Sequence, residues 1–253
     1  MAQTPIIEVR DVVVRYGDHL VLDGVSFEVY KGEILAILGR SGCGKSTLMR
    51  RMIGLEEVDG GEIRIHGRSL SGCGEREMHR LLRRIGVLFQ SSALIGSLTI
   101  GQNVALPIRE HTDLPLHAVH DLVRMKLCMV GLAEYEFYLP SQLSGGMRKR
   151  AGLARALALS PDILFLDEPS AGLDPLTAAE MDMLIRHISS SMGTTTVMIT
   201  HELRSILNVA RRAVMLDPEV RGIIAQGDPR DMQASSPEPR VRRFFNPLLE
   251  EIG

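Results

Sequence analysis

The chain has 253 residues, with 29 basic and 31 acidic side chains and a formal charge of -2. That near-balance excludes the broad basic footprint of a general nucleic-acid-binding protein. Three separated cysteines, Cys43, Cys73 and Cys128, make neither a disulfide framework nor a zinc ligand set. No apolar run reaches bilayer-spanning length, and the first residues lack a signal peptide's basic and apolar regions, so a soluble, cytoplasmic α/β domain with an insertion is expected.

Partial alternation from Ile6 to Arg15 predicts a strand with one buried face, closed by Tyr16-Gly17-Asp18, and Leu20 to Val29 predicts a second strand. The run Ile34-Leu35-Ala36-Ile37-Leu38 leads into Gly39-Arg40-Ser41-Gly42-Cys43-Gly44-Lys45-Ser46-Thr47, and a helical pattern with Leu48, Met49, Met52 and Ile53 follows. Gly-x4-Gly-Lys-Ser between a buried strand and a helix is a P-loop. Its glycines let successive backbone N–H groups converge on phosphate oxygens, the helix N-terminus adds partial positive charge, and Lys45 adds a full one. The Ser46 hydroxyl is placed for a magnesium ion bridging two phosphates. Cys43 beside this charge has two readings, a thiol of depressed pKa or a residue merely tolerated in the loop.

Asp59-Gly60-Gly61 and His66-Gly67 bracket a short strand from Glu62 to Ile65, which implies an antiparallel subsheet beside the parallel core. Ile85 to Phe89 is a further apolar strand, ending at Gln90. From Ser91 to about Ser160 the pattern is mainly helical; Leu122, Val123, Met125, Leu127, Met129 and Val130 crowd one helix, and Gly131 is its predicted C-cap. Leu143-Ser144-Gly145-Gly146-Met147 then precedes a helix carrying Leu153, Ala154, Leu157 and Ala158, a second anion-receptive helix N-terminus. One nucleotide has little use for two such sites on one chain.

Ile163-Leu164-Phe165-Leu166 restores the strand signal and ends in Asp167-Glu168, two carboxylates at the edge where open α/β sheets bind ligands. Downstream of a P-loop, Asp167 is expected to meet magnesium and Glu168 to accept a proton from the water attacking the γ-phosphate. Asp174-Pro175 opens a helix to about Ser190, Thr194 to Thr200 is strand-like, and Arg212 to Leu216 and Gly222 to Gln226 are late strands. Pro237, Pro239 and Pro247 break the final stretch, which reads as a docked or mobile tail. The expected division is a nucleotide-binding core over 1–90 and 161–235, a helical subdomain over 91–160 and a tail over 236–253.

Taken in this order the motifs resemble the nucleotide-binding subunit of an ABC transporter. Walker A is Gly39 to Ser46, the Q-loop is Gln90, the signature is Leu143 to Met147, and Walker B is Ile163 to Asp167 with Glu168. The D-loop is Ser170 to Asp174 and the switch histidine is His201. The resemblance implies a RecA-like α/β P-loop NTPase core with a mainly parallel sheet, an N-terminal antiparallel β-subdomain and an α-helical subdomain insertion. It implies ATP and Mg²⁺ as ligands, and two copies sandwiching two ATP molecules head to tail, so that Ser144, Gly145 and Gly146 serve the nucleotide held by the other copy. It also assigns His201 to the γ-phosphate, Gln90 to magnesium and to signalling, and Tyr16 to stacking on adenine. Taken alone, a histidine after a strand is an ordinary polar residue and a tyrosine is ordinary packing. His201-Glu202 does not make a zinc protease motif, because Ser205 stands where the second histidine is required.

Met147 stands where many members of the family have Gln, and Arg148-Lys149-Arg150 follows it. With Asp-Glu-Pro-Ser-Ala-Gly-Leu-Asp-Pro at 167 to 175, this wording resembles the ATPases of the Mla phospholipid transporters and their Mkl-type relatives. The triplet is open to a plainer reading as a solvated helix face. The resemblance implies ATP hydrolysis that energises phospholipid trafficking through a separate membrane permease on the cytoplasmic face of the inner membrane. A lipid-binding substrate protein is expected in the wider complex, and no nucleic acid. The alternatives are an ABC ATPase for another solute and a soluble non-transport scaffold, whose repair-type relatives carry coiled-coil or zinc insertions not found in this sequence. Arg240 to Phe245, followed by Leu248 and Leu249, is expected to dock on a protein surface rather than on the bilayer.

Overall fold

The computed structural model describes residues 4–246. Strands β1 (Pro5–Tyr16) and β2 (His19–Tyr30) form an antiparallel hairpin, and β3 (Ile34–Leu38) runs into the phosphate loop and α1 (Lys45–Met52). Then come β4 (Gly60–Ile65), β5 (Arg68–Ser69), α2 (Glu75–Leu82) and β6 (Ile85–Leu88). Helices α3 (Ile100–His111), α4 (Leu116–Met129) and α5 (Gly145–Ala156) follow, with two 3₁₀ turns between α4 and α5. The chain continues through β7 (Ile163–Asp167), α6 (Pro175–Met192), β8 (Thr195–Ile199), α7 (Leu203–Val209), β9 (Arg212–Asp217), β10 (Gly222–Gly227), α8 (Pro229–Ser235) and α9 (Pro239–Phe245).

Two sheets organise these elements. An antiparallel sheet has the order β2-β1-β4-β5, and a six-stranded sheet has the order β10-β9-β3-β8-β7-β6, parallel except for β10. Strand β3 sits inside this second sheet and is buried at every residue, which is why its sequence is a continuous apolar run rather than an alternating one. Leu35 and Ile37 point toward α1 and the antiparallel sheet, packing with Leu48, Met49 and Met52; Ala36 and Leu38 point the other way, with Ile206 and Met215. Asp174 accepts from the N–H groups of Leu176 and Thr177 at the start of α6, and Pro175 occupies the first helical position, as its sequence suggests.

Several sequence readings shift. Helix α2 is missed by apolar periodicity because only Leu81 of it is buried. In α4 the inward face is Val119, Val123, Lys126 and Leu127, whereas Met125 lies exposed, so the apolar crowding there spans more than one face. Pro239 does not break the tail but starts α9, capped by Glu238, with Val241 and Phe245 buried beside Ala36 and Leu38. Arg240 adds a 2.8 Å ion pair to Asp217. Leu248 and Leu249 lie outside the described residues.

Helix α5 packs so tightly against β6 that a Cβ at Gly86 meets the Ala156 carbonyl oxygen at 2.2 Å. A Gly86→Ala variant is expected to lose about 1–3 kcal/mol of stability through overpacking. A melting temperature equal to the parent's contradicts this contact.

Candidate active site

The carboxyl ends of β3, β6, β7 and β8 open on one cleft of about 710 Å³. Its walls are Gly39 to Gly42 and Gly44 to Thr47 of the phosphate loop, Gln90, Glu168 and His201, with His19, Val21 and Phe244 around them. Register explains the convergence. Ile37 pairs with Ile199, Asp167 pairs with Ile199 from the other side, and Leu88 pairs with Leu166. Gly39 and His201 therefore each lie two residues beyond one paired position, and Gln90 and Glu168 lie two beyond another.

The loop needs its glycines for two separate reasons. Gly39, Gly42 and Gly44 have φ of 143°, 80° and 93°, and a Cβ at Gly39 meets the Leu216 carbonyl oxygen at 2.4 Å. Lys45 folds back to donate to the carbonyls of Gly39 at 2.8 Å and Arg40 at 3.0 Å, which holds its ammonium over the loop. Cys43 points inward rather than toward the cleft and is 1% exposed. Burial raises its thiol pKa despite the nearby Lys45, so the reading of an activated thiol is wrong; desolvation outweighs the loop's positive charge.

Glu168 is nearly buried, adopts a left-handed φ of 49°, and places Oε1 at 2.7 Å from His201 Nδ1, while His201 itself is exposed. Its N–H donates to the Ile199 carbonyl at 2.9 Å. Asp167 lies behind the cleft lining. Burial raises its pKa and the charge of Glu168 adds to this, against Lys149, Arg50 and Lys45. Asp167 Oδ1 and Glu168 Oε2 are both buried without a hydrogen-bond partner among the described residues. A buried acceptor left unpaired costs about 1–3 kcal/mol, and a hard cation with its bound water relieves that cost for both oxygens. The oxygen donors Ser46, Gln90 and Asp167 are of the type magnesium selects, so the residues present fit the metal.

Not every expected site residue reaches this cleft. Tyr16 is outside its lining; Arg51 lies over its ring at 5.0 Å and donates to its hydroxyl at 2.9 Å, and that hydroxyl donates to Glu56 at 3.0 Å. Ser144, Gly145 and Gly146 begin α5 away from the cleft. Ser144 caps the helix through the Met147 N–H at 3.2 Å, and Gly145 stays exposed. Met147 packs half-buried on the helical core. The basic triplet is not one solvated face: Lys149 is buried and Arg150 pairs with Glu180, while Arg148 is exposed and donates to the Leu143 carbonyl at 3.1 Å.

Several contacts here carry no sequence signal of their own. Ser170 of the D-loop lies 3.3 Å from both Asp182 and Ser205, which links the segment after Glu168 to the helix after His201. Burial raises the Asp182 pKa against the hydrogen bonds from those serines. Lys149 donates to the carbonyls of Gln90 at 2.6 Å and Glu168 at 2.9 Å. Phe244 of α9 closes one wall of the cleft. All of these contacts join residues distant in sequence, so no spacing rule finds them.

A phosphate loop at the head of a parallel sheet, facing a carboxylate and a histidine from neighbouring strands, defines a P-loop nucleotide hydrolase. Residues 22–171 match the family model for the ABC transporter, and the chain belongs to that family. It is 39% identical over 245 residues to the intermembrane phospholipid transport system ATP-binding protein MlaF of Escherichia coli K12, covering 97% of this chain and 90% of that one. It is 38% identical over 240 residues to the probable ribonucleotide transport ATP-binding protein mkl of Mycobacterium tuberculosis H37Rv, covering 95% and 66%. Its fold matches the dimeric structure of MJ0796, a bacterial ABC transporter cassette, with a TM-score of 0.80 and 28% identity over 88% of this chain and 98% of that one. The fold is thus that of ABC cassettes, with the antiparallel sheet and the helices α3 to α5 flanking the mostly parallel one.

A thiol held above its ordinary pKa gains thiolate only as pH rises well past neutrality. Iodoacetamide is therefore expected to label exposed Cys128 first, with Cys43 lagging near neutral pH and accelerating in base. Peptide mass mapping that finds Cys43 labelled as fast as Cys128 contradicts its burial.

Proposed function

We propose that this chain is the ATP-hydrolysing subunit of a transporter that moves phospholipid through a separate membrane permease. The observation that carries the ATPase reading is the Glu168–His201 pair at 2.7 Å, facing the phosphate loop across one cleft. Lys45 exchanges the Gly39 and Arg40 carbonyls for phosphate oxygens when ATP arrives. Glu168 takes the proton of the attacking water through its carboxylate, and His201, bridging Glu168 to the open side, steadies the γ-phosphate. Ser46, Asp167 and Gln90 would hold Mg²⁺, which when bound would supply positive charge against the transferring phosphoryl group. Preorganised charge of this kind accounts for most of the acceleration in phosphoryl transfer, since the protein makes no covalent bond.

Two copies are needed. The N-terminus of α5 is turned away from the cleft of its own chain, and its first N–H groups lack intrahelical partners. Those groups, with Ser144, Gly145 and Gly146, meet the ATP of a second copy, consistent with the dimeric MJ0796 cassette. Tyr16 is the assigned adenine partner, one face of its ring remaining for a base opposite Arg51. No helix among the described residues is long and apolar enough to cross a membrane. In this reading the lipid path lies in the separate permease, with this chain on its cytoplasmic face. A lipid-binding substrate protein completes the complex.

The lipid assignment rests on the relation to the phospholipid transport protein, which spans 90% of that relative; the mkl relative, named for ribonucleotide transport, is spanned over 66%. Detergent extraction is expected to recover the chain with a polytopic membrane protein and bound phospholipid. Recovery of a persistently soluble complex discards the transport reading, and a membrane complex that carries ribonucleotide in place of lipid discards the lipid.

Glu168→Gln is expected to bind ATP as the parent does while turnover falls by about 10²- to 10⁴-fold. Single-turnover hydrolysis at the parent rate removes Glu168 from the role of base.

A further inference from the structure

Lys149 is the one member of the basic triplet that is buried, at 7% exposure, and it forms no ion pair among the described residues. Its Nζ instead donates to two backbone carbonyls that lie 59 and 19 residues away, those of Gln90 and Glu168. Both carbonyls belong to residues that line the cleft. A buried ammonium directed at main-chain oxygens loses hydration and is restored only by those bonds. Left-handed backbone occurs at one acceptor and shortly after the other. Glu168 sits at φ 49°, a region that disfavours side chains bearing a Cβ, and Ser92 and Ala93, just after Gln90, lie at φ 63° and 46°.

The rest of α5 grips the same loop. Arg155 donates to the carbonyls of Ser92 at 3.0 Å and Ala93 at 2.6 Å, and a Cβ at Gly152 meets Leu88 Cδ1 at 2.8 Å and Ser92 Cβ at 3.1 Å. Helix α5 and the loop carrying Gln90 therefore form one packed body. Lys149 extends that body to the main chain of Glu168 itself, whereas Arg155 and Gly152 stop at residues 88 to 93 and Arg150 reaches Glu180 on α6. Ser144, the cap of α5, is five positions from Lys149 on the same helix.

We propose that Lys149 is a positioning residue that ties the helix completing the partner copy's ATP site to the Glu168–His201 pair of its own chain. When the N-terminus of α5 engages phosphate on the partner copy, the displacement reaches Glu168 through the Lys149 bond, setting its left-handed backbone and hence the direction of its carboxylate. Each site thereby responds to occupancy of the other. The inference rests on Glu168 being the base and on the two-copy sandwich proposed above.

The test is steady-state ATPase activity against ATP concentration for the full chain, alongside binding of a non-hydrolysable ATP analogue, for parent, Lys149→Met, Lys149→Arg and Glu168→Gln. In Lys149→Met, kcat is expected to fall by about 10- to 100-fold, as for a reacting group misplaced by an ångström, with KM and analogue affinity within about threefold of the parent. Cooperativity in ATP is expected to fall to that of independent sites. Lys149→Arg, whose guanidinium carries five donors, is expected to recover most of the rate and the cooperativity. A parent-like kcat or retained cooperativity in Lys149→Met overturns the proposal, as does an equal deficit in Lys149→Arg or a loss of analogue binding matching the loss of rate. Should Lys149→Met not fold, Lys149→Gln, with one amide donor, is expected to give an intermediate kcat, and parent-like turnover there overturns the proposal equally. Glu168→Gln separates the two readings: if it keeps parent turnover the base assignment fails, while the kcat–KM split and cooperativity of Lys149→Met still judge the coupling through Lys149.

Discussion

In-register pairing of four parallel strands is the constraint on which the site depends. No single element contains the chemistry: the phosphate loop leaves β3, Gln90 follows β6, Glu168 follows β7 and His201 follows β8. Gln90, Glu168 and His201 each lie within two residues of the end of their strand, so a slip of one position in those pairings would turn the side chain to the opposite face of the sheet. Burial of β3, β7 and β8 on both faces fixes the register, because a shifted β7 would have to carry the half-buried Asp167 into the core. Hydrophobic packing thus sets catalytic geometry with no direct contact between the core and the phosphate.

Backbone groups then do much of the work usually credited to side chains. The left-handed glycines of the loop aim N–H groups where Cβ atoms would intrude, and Glu168 is held by its own main chain: N–H to the Ile199 carbonyl, C=O to Lys149 and to the Ala171 N–H at 3.2 Å. Strain at a functional residue persists only where its surroundings over-determine it, and three hydrogen bonds around one peptide meet that condition. The unpartnered oxygens of Asp167 and Glu168 are the counterpart. The site stores unsatisfied negative charge beside a loop of oriented N–H groups and Lys45, an arrangement suited to a magnesium nucleotide rather than to a free anion.

Much of this was legible in the sequence, for a definite reason. The motifs Gly39 to Thr47, Leu143 to Met147 and Asp167-Glu168 are local, and each is punctuated by glycine or by the end of an apolar run, so spacing alone reveals strand, loop and helix. Strand β3 and β7 up to Leu166 are uninterrupted apolar runs, the signature of parallel strands buried on both faces, and β8 reads as a strand through its β-branched residues. What stayed hidden depends on tertiary contact. Helix α2 buries a single residue and gives no periodic signal; α9 looked like a proline-broken tail because its buried face has only Val241 and Phe245 to show for it. Lys149 read as one charge among three, since nothing local distinguishes a solvated lysine from one directed at carbonyls 59 residues away. Cys43 left two readings open, activation by Lys45 or a merely tolerated thiol, and burial decides for the second by making desolvation the larger effect.

The position of α9 shows how far the cleft depends on the whole chain. Val241 and Phe245 anchor the helix on the face of β3 opposite α1, and Arg240 pins it to Asp217 at the end of β9, the strand whose Leu216 carbonyl approaches Gly39 so closely that only glycine fits. That anchoring leaves Phe244 on the rim of the cleft while Arg40 joins it in lining the groove beneath α9. His19 and Val21, from the first hairpin, also line the cleft. The lining of this cleft thus combines the phosphate loop with side chains contributed by both ends of the sequence. Completion of the cleft therefore requires the first hairpin, the central strand and the last described helix together, so ATP binding draws on the stability of the entire cassette rather than on the phosphate loop alone.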